Sequence, residues 1–528
     1  MSTNLEGIGS DRLASTPVAQ GIVFPPGPDG NPSSRLAGTR IMGAALDALD
    51  PAHGEDARRE THWRSAYPRH FRRLVHGAMR SPDVALASAR AGLAAAWGNL
   101  HWQGEGGIGS LHDAMREPAV PMSALTLEGR GDARPAEWAV PYRGALLRGD
   151  ALAARIDDWL ARGIIESTAA AALHRCLRHP EWFDLADRHL VLLGAGSEAG
   201  PLRWLCRWRA RLIAIDLPRE TVWRRIAALA SAGNGSVTVP LRGASPAADA
   251  ASDAWVADAG ADLLAEAPRV AQWLCAQQRP LDIAALGYAD GERHVRLSLA
   301  MDMVQVAACE ADHRTSLAWM ATPTDVFAVP EATAQRAMAA FEARPVMQRA
   351  WQEPIRLASG DRLFHENVEA IERPEHGPAF GLVDALVVEQ GPNYALAKRL
   401  QQWRAILARE AGHVASLNVA PSTTTTSVLK NPAFAAGFAG ADVFGIEVFE
   451  PETTNALLAA LWVHDLRAPE SAANPARRLE HPHQLIWEDA CHGGLWTCAY
   501  RPRSALPMAA ALGWLRGAAR KAALTGED

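Results

Sequence analysis

Lysine is nearly missing from this chain. Three lysines (Lys398, Lys430 and Lys521) stand against fifty arginines, and tyrosine is scarce as well, with five among 528 residues. A chain that defaults to arginine keeps lysine where a compact ammonium on a flexible stem does something a planar guanidinium does not. One of the three lysines follows one of the five tyrosines by four residues, Tyr394 and Lys398 in GPNYALAKRLQQWRAIL. Chance alone gives such a pair roughly 3% of the time, by counting tyrosines and lysines over the chain length. Other absences exclude whole classes. The six cysteines show no CxxC spacing, so neither a disulfide framework nor a zinc ribbon is suggested. A net charge of −6 gives no electrostatic case for nucleic acid. No apolar run reaches the roughly eighteen residues of a membrane span, and the opening residues do not read as a secretory signal. A cytoplasmic enzyme acting on a small molecule, with no membrane partner, is the expectation.

What is present reads as globular: 48% hydrophobic and 21% charged residues. Residues 1–38, with FPPGPDGNPSS, read as a flexible N-terminal arm. Residues 39–185 read as a helical N-terminal domain without good strands, packed on the next domain or on a twin subunit. In it Asp150 caps a helix carrying Leu152, Ile156, Trp159 and Leu160 on one stripe, Gly163 stops it, and a second helix runs near 166–178. A separate second domain is expected over 186–500 and a helical tail over 501–528.

From His189 the texture changes. HLVLLGAGSEAGPLRWLCRWRARLIAIDLP reads strand, glycine turn, helix, strand, acidic residue. Apolar stretches at 281–287, 315–322, 414–420 and 484–488 then alternate with helices at 292–309, 393–409 and 452–463. Strands alternating with amphipathic helices imply right-handed crossovers and a mostly parallel sheet. Segment 328–385 is too long for an ordinary loop and reads as an insertion holding its own helix, EATAQRAMAAFEA.

Small residues at Gly194, Gly196 and Gly200 let a backbone approach a pyrophosphate at a helix N-terminus. Asp216 closes the second strand, where a carboxylate can accept from a ribose hydroxyl. That favours NAD over NADP, although Arg219, Arg224 and Arg225 lie close by. The same loop also has the small-x-Ser-x-small form of a hydrolase elbow at Ala195–Ala199, and a methyltransferase would place an acid after its second strand. Neither alternative uses Tyr394 and Lys398. On a helix these two lie one above the other, with Leu396, Leu400, Trp403 and Leu407 on a different face as a core stripe. A nearby ammonium favours phenolate, so the tyrosine can exchange a proton with an alcohol or carbonyl oxygen.

From 189 to about 497 the sequence resembles the short-chain dehydrogenase/reductase superfamily in a divergent form. VLLGAGSEAG is similar to that family's opening strand and glycine turn. TSLAWMAT matches the strand ending in the catalytic hydroxyl, with Thr322 in the serine's place and Thr324 as the fallback. Tyr394 and Lys398 match Tyr-x-x-x-Lys. VASLNVAPSTTTTSV resembles the strand and turn that hold the nicotinamide, with Pro421 and Thr426 at the matching positions. FEPETTNALLAALWVHD and LIWEDACHGGLW resemble the late helix and last strand. The departures are Glu198 at the middle glycine, Ala-Leu-Gly-Tyr at 285–288 for Asn-Asn-Ala-Gly, Ser298 at the helix asparagine, and Ser422 for the glycine after Pro421.

The resemblance implies a Rossmann-like, doubly wound parallel sheet with a helical N-terminal domain. It also implies an NAD(P)-dependent oxidoreductase on an alcohol/carbonyl pair, and a homo-oligomer formed through the helices that carry the catalytic residues. Tyr394, Lys398, Thr322 and Ser298 are the expected catalytic group; Gly194, Gly196, Gly200, Asp216, Pro421 and Thr426 are the expected cofactor contacts. The alternatives are the same fold kept as a binding or scaffolding module, or as a dehydratase or epimerase without net redox change. No metal is expected: His174, His179, His189 and Cys176 read as solvated or packed. Cys491, His492 and Cys498 read as core or wall, and Lys430 as a surface lysine.

Overall fold

The structure is a computed structural model that describes residues 21–243, 253–430 and 432–525. Seven strands form the main sheet: β1 (Ser123–Glu128), β2 (His189–Leu193), β3 (Arg211–Ile215), β4 (Ser236–Leu241), β5 (Asp282–Ala285), β6 (Ser316–Ala321) and β7 (Ala415–Val419). They lie in the order β7-β6-β5-β2-β3-β4-β1. Neighbours from β2 to β7 are parallel, and β1 runs antiparallel along β4 at the edge. Runs such as HLVLL are apolar without alternation because a parallel strand is buried on both faces. Val191, Leu193, Ile213 and Ile215 share one core with helices Ser34–Asp47, Trp63–Ala78, Pro82–Asn99, Leu263–Cys275, Arg293–Ala311 and Gly391–Glu410. Leu190, Leu192, Leu212 and Ala214 share the other with Gly149–Arg162, Ser167–Arg178, Glu220–Ala232 and Pro451–Arg467. The fold is therefore mixed α/β, a mostly parallel sheet covered by helices on both faces.

The parallel strands begin at β2 in mid-sheet, run outward through β3 and β4, then restart at β5 on the other side of β2 and run outward through β6 and β7. Strand order thus reverses between β2 and β5. There the two backbones leaving the sheet touch: Gly194 has φ +93°, and a Cβ on it would lie 2.5 Å from the Cα of Gly287. Only glycine fits both the conformation and the gap.

Several expectations are corrected. The segment 39–185 is not free of strands. It holds His101–Gly104, Gly107–Ser110, Val140–Tyr142 and Ala145–Leu147 as well as β1, which completes the main sheet. β1 is an edge strand, largely exposed, so SALTLE carries little hydrophobic signal. Residues 1–20 of the expected arm lie outside the described residues. The rest of it is built in: Gly21–Val23 pairs with His101–Gln103, and Ser33 caps helix Ser34–Asp47 by accepting from the Leu36 N–H.

The stretch 484–488 is a helical turn, Gln484–Trp487, and not a strand. The Gln484 side chain accepts from the Glu480 and His481 N–H groups and fixes the chain leading into that turn. The edge of β7 is met instead by the Cys491 N–H, which donates to the Val419 carbonyl at 2.9 Å. The helix expected after the glycine turn is only Leu202–Leu205, because Arg209 turns left-handed (φ +59°) just before β3. Around the expected insertion, Val326–Pro330, Ile371–Glu372 and Phe380–Asp384 form a small antiparallel sheet enclosing helices Glu331–Glu342 and Val346–Ala358. Helix Pro502–Thr525 ends the described chain, and residues 526–528 of the expected tail lie outside the described residues. No helix among the described residues is long and apolar enough to cross a membrane.

Candidate active site

The residues singled out from the sequence lie at the carboxyl ends of the parallel strands. Gly194 follows β2, Asp216 follows β3, Thr322 follows β6, and Pro421 comes two residues after β7. Helix Gly391–Glu410 brings Tyr394 and Lys398 to the same end. Gly391, with φ +79°, breaks the chain before it, and Pro392 sits in its first turn, where a missing N–H costs nothing. Leu396, Leu400 and Trp403 are buried on its core side. The Trp403 ring lies so close to Gly92 of helix Pro82–Asn99 that a Cβ there would come within 2.4 Å. The helix is therefore clamped from behind while its first two turns face the strand ends.

Thr322 stands close enough to the Tyr394 phenol to favour its ionised form. Thr322 in turn shares a 2.8 Å hydroxyl contact with Thr324 and accepts from the Thr324 N–H at 3.3 Å. Lys398 Nζ donates to the Met320 carbonyl of β6 (3.1 Å) and to Gln401 Oε1 (3.2 Å). Gln401 Nε2 donates onward to Ser298 Oγ at 3.3 Å. Thr322, Tyr394, Lys398 and Ser298 thus come together in one cluster, with Ser298 joined to the lysine through Gln401.

The electrostatics differ from expectation. Burial pushes the Tyr394 phenol up to about 12; the nearby Thr322 hydroxyl opposes this and the Asp325 charge adds to it. Burial pulls the Lys398 ammonium down to about 8. Desolvation dominates the phenol, and the amine directs its donors to Met320 and Gln401.

Four further residues build this site, and sequence reasoning missed them. His294 is buried and stacks on Tyr394 (5.4 Å between centroids, 18° between planes), with no hydrogen-bond partner for Nε2. Burial and the Lys398 charge hold its imidazole well below the ordinary range, hence neutral. Asp325, fully buried, accepts from Arg399 (2.9 Å), Gln402 (2.9 Å) and the Val326 N–H (2.7 Å). The polar pair Gln401-Gln402 on a helix otherwise apolar on that side was the one available signal; nothing in the sequence pointed to His294 or Asp325.

The glycine turn forms a second cluster. Asp216 Oδ2 accepts from the Gly196 N–H at 2.6 Å and Oδ1 from the Leu217 N–H at 2.8 Å, so the carboxylate ties the turn to the end of β3. Burial raises its pKa, while those N–H donors and the charges of Arg225 and Arg219 oppose the rise. The Arg225 guanidinium donates to the Gly196 carbonyl. Gly200 donates its N–H to the Ser197 carbonyl and closes the turn. Across the crevice, the Glu198 carboxylate accepts from the Thr426 N–H (2.9 Å) and Thr426 Oγ1 (3.2 Å). Both groups of Thr426 expected to meet a cofactor are therefore held by Glu198. Pro421 follows Ala420, whose N–H donates to the Ala321 carbonyl beside Thr322, and the Pro421 carbonyl accepts from Thr423 Oγ1 at 2.9 Å.

The histidines at the start of the domain do not converge. His174 meets Asp157, His179 meets Glu181, His189 meets Arg211, and Cys176 donates to the Ala460 carbonyl. His492 is buried beside Glu166 at 3.0 Å, Cys491 and Cys498 are buried, and Lys430 is exposed. No protein-family model matches the chain, and no curated protein matches it in sequence.

Proposed function

We propose that this chain is an NAD(H)-linked oxidoreductase that interconverts an alcohol and a carbonyl, on a Rossmann-like, short-chain dehydrogenase/reductase-type sheet. The observation that carries the reading is Thr322 standing beside the Tyr394 phenol, with Lys398 one turn along the same helix, at the carboxyl ends of parallel strands. The strand order supports it. Numbered from β2, the six parallel strands run 3-2-1-4-5-6, and ligands of such sheets bind where the order reverses.

A nicotinamide bound along the crevice would supply or accept the hydride. Tyr394 gives its proton to the carbonyl oxygen as the carbon takes the hydride, and takes a proton from the alcohol in the reverse direction. Thr322 hydrogen-bonds the same oxygen and orients it. Lys398 would hold the ribose of the cofactor, and Gln401 and Ser298 keep the amine in place. The glycine turn and Asp216 fit the adenosine half of a dinucleotide on one condition: Glu198 must release Thr426 and turn away from the phosphates, since a carboxylate there repels them.

The homo-oligomer implied by the resemblance would need a different surface. In this chain the outer sides of helices Arg293–Ala311 and Gly391–Glu410 are taken by its own N-terminal helices, through Trp97 Nε1 on Asp302 (2.7 Å) and Gly92 under Trp403.

Titration with NADH and NADPH, followed by nicotinamide fluorescence, tests the reading. Saturable binding with NADH preferred supports it, and binding of neither removes it. The Glu198–Thr426 bridge and the single-turn helix Leu202–Leu205 favour a second reading, the fold kept as a module or used for dehydration or epimerisation. A cofactor that binds and is never net-oxidised points there.

A further inference from the structure

Away from the strand ends, on the face of the sheet covered by helix Pro451–Arg467, three ionisable side chains meet in the interior. His464 and Asp465 come from the last turn of that helix, and Asp489 from the loop after Gln484–Trp487. They are 1%, 6% and 7% exposed. His464 Nδ1 lies 3.5 Å from Asp465 Oδ1 and 3.7 Å from Asp489 Oδ2, and one donor atom from each residue falls within 4.8 Å of the others. These separations are too long for good hydrogen bonds, and Nδ1 has no hydrogen-bond partner. A buried imidazole nitrogen therefore points, unsatisfied, into the space between two buried carboxylates.

The surroundings orient the donors without neutralising them. Asp465 Oδ2 accepts from Ser416 Oγ (2.6 Å) and Asn418 Nδ2 (2.9 Å), both on β7, and Oδ1 accepts from Ser471 Oγ (2.5 Å). Oδ2 is thereby saturated, and Oδ1 keeps one lone pair on the side of His464. No described residue donates a hydrogen bond to the Asp489 carboxylate. Asp489 itself has φ +59°, a left-handed conformation that holds its side chain at the cluster, and its N–H is anchored on Thr168 Oγ1 at 2.8 Å. Of the nearby guanidiniums, Arg477 pairs with Glu488 (2.6 Å), while Arg175 pairs with Glu470 (3.2 Å) and also points Nη1 at His464 Nε2 (3.5 Å).

Two buried carboxylates that share a single imidazole are costly, and interiors resolve this by fuller pairing or by coordinating a metal. We propose that His464, Asp465 and Asp489 are the protein ligands of a divalent transition metal, zinc being the best fit. Four-coordinate zinc, with arms of about 2.0–2.2 Å, spaces its donors about 3.4 Å apart, close to the two separations at Nδ1. Imidazole with carboxylates suits zinc or manganese better than the all-oxygen shells of calcium and magnesium. Ser416, Asn418 and Ser471 are the outer partners that such ligands require. The metal would tie β7, the end of helix Pro451–Arg467 and the 489 loop together, a structural role independent of the cleft. Coordination by Nδ1 leaves the proton on Nε2, so Arg175, whose Nη1 lies 3.5 Å from Nε2, turns fully to Glu470.

The rival is a shared proton: burial and the Asp465 charge push the Asp489 carboxyl up to about 7. The experiment uses the full chain, stripped with a chelator and titrated with zinc by calorimetry, with cobalt as a spectroscopic probe. Expected are one zinc per chain, tetrahedral cobalt absorption in the visible, and a Tm raised by zinc. Asp489→Asn and His464→Gln should weaken binding at least tenfold and remove the Tm response, and Ser416→Ala should weaken it about tenfold. A stripped wild-type chain that binds neither zinc, cobalt nor manganese overturns the proposal, whether or not the variants fold. So does binding that the folded variants leave unchanged, which would place the metal elsewhere.

Discussion

The carboxylate of Glu198, in the glycine turn, closes on the backbone N–H and hydroxyl of Thr426 at 2.9 and 3.2 Å, bridging the two walls of the crevice. An intrachain anion thus occupies the Thr426 donors expected to meet a cofactor. Removing its charge should open the crevice to phosphate. Glu198→Gln is expected to tighten NADH binding about tenfold, equivalent to about 1.4 kcal/mol. Fluorescence titration at two salt concentrations checks this, since the gain should shrink as salt screens the repulsion. Weaker binding in the variant would mean that Glu198 contributes to the site instead of blocking it.

Tyr394→Phe keeps the ring that stacks on His294 and loses only the hydroxyl. Turnover is expected to fall by at least about a thousandfold while cofactor affinity changes less than threefold, the pattern of a group needed in the transition state. Comparison of kcat with Kd for NADH decides it. Retained turnover would end the assignment.

The pH dependence should carry the mark of Lys398. Its folded-state pKa of about 8 lies below the ordinary 10.5, so the folded chain binds fewer protons than the unfolded one between those values. Its contribution to stability is therefore greatest above about 10.5 and is lost as pH falls through about 8. For carbonyl reduction the charged amine is the active form. We expect kcat/KM to be level below about pH 8 and to decline above it, with the break gone in Lys398→Arg. A break that persists in the arginine variant belongs to another group.

Arg399 and Asp325 form a buried ion pair at 2.9 Å, each under 4% exposed at the side chain. Arg399→Met leaves the Asp325 charge without its partner. It is expected to destabilise the protein by about 3–5 kcal/mol, whereas the double replacement Arg399→Met with Asp325→Leu should recover much of that loss. Denaturant unfolding of Arg399→Met, Asp325→Leu and the double variant measures the coupling; a double loss equal to the sum of the two single losses would show that the pair does not interact.

Gly194→Ala should be poorly tolerated. The residue sits at φ +93° with the Gly287 backbone 2.5 Å from where the methyl would go. A lower Tm together with weaker cofactor binding is expected, because the shift opens the point at which strand order reverses. An unchanged Tm would show that the two backbones separate at little cost.

Much of this was legible from local pattern. The buried strands β2, β3 and β5–β7 are largely apolar runs, the long helices carry their stripes, and a scarce lysine four residues after a scarce tyrosine marked one face of one helix. β1 was not legible, because an exposed edge strand has little hydrophobic signature and exists through pairing with β4. The turn at Gln484 was misread for a related reason: a short apolar run has no helix or strand preference until a side chain fixes the chain leading into it.

What the amino-acid order determined by itself is the set of periodicities and the local spacing of Tyr394 and Lys398, since these depend on neighbours a few residues away. What only tertiary structure decided is which distant groups meet: Thr322 on Tyr394, Gln401 between Lys398 and Ser298, Glu198 on Thr426, and His464 between two aspartates. Burial then set the ionisation of those groups, moving Tyr394 up and Lys398 down, because desolvation depends on what the whole chain packs around a side chain and not on the residues beside it in sequence.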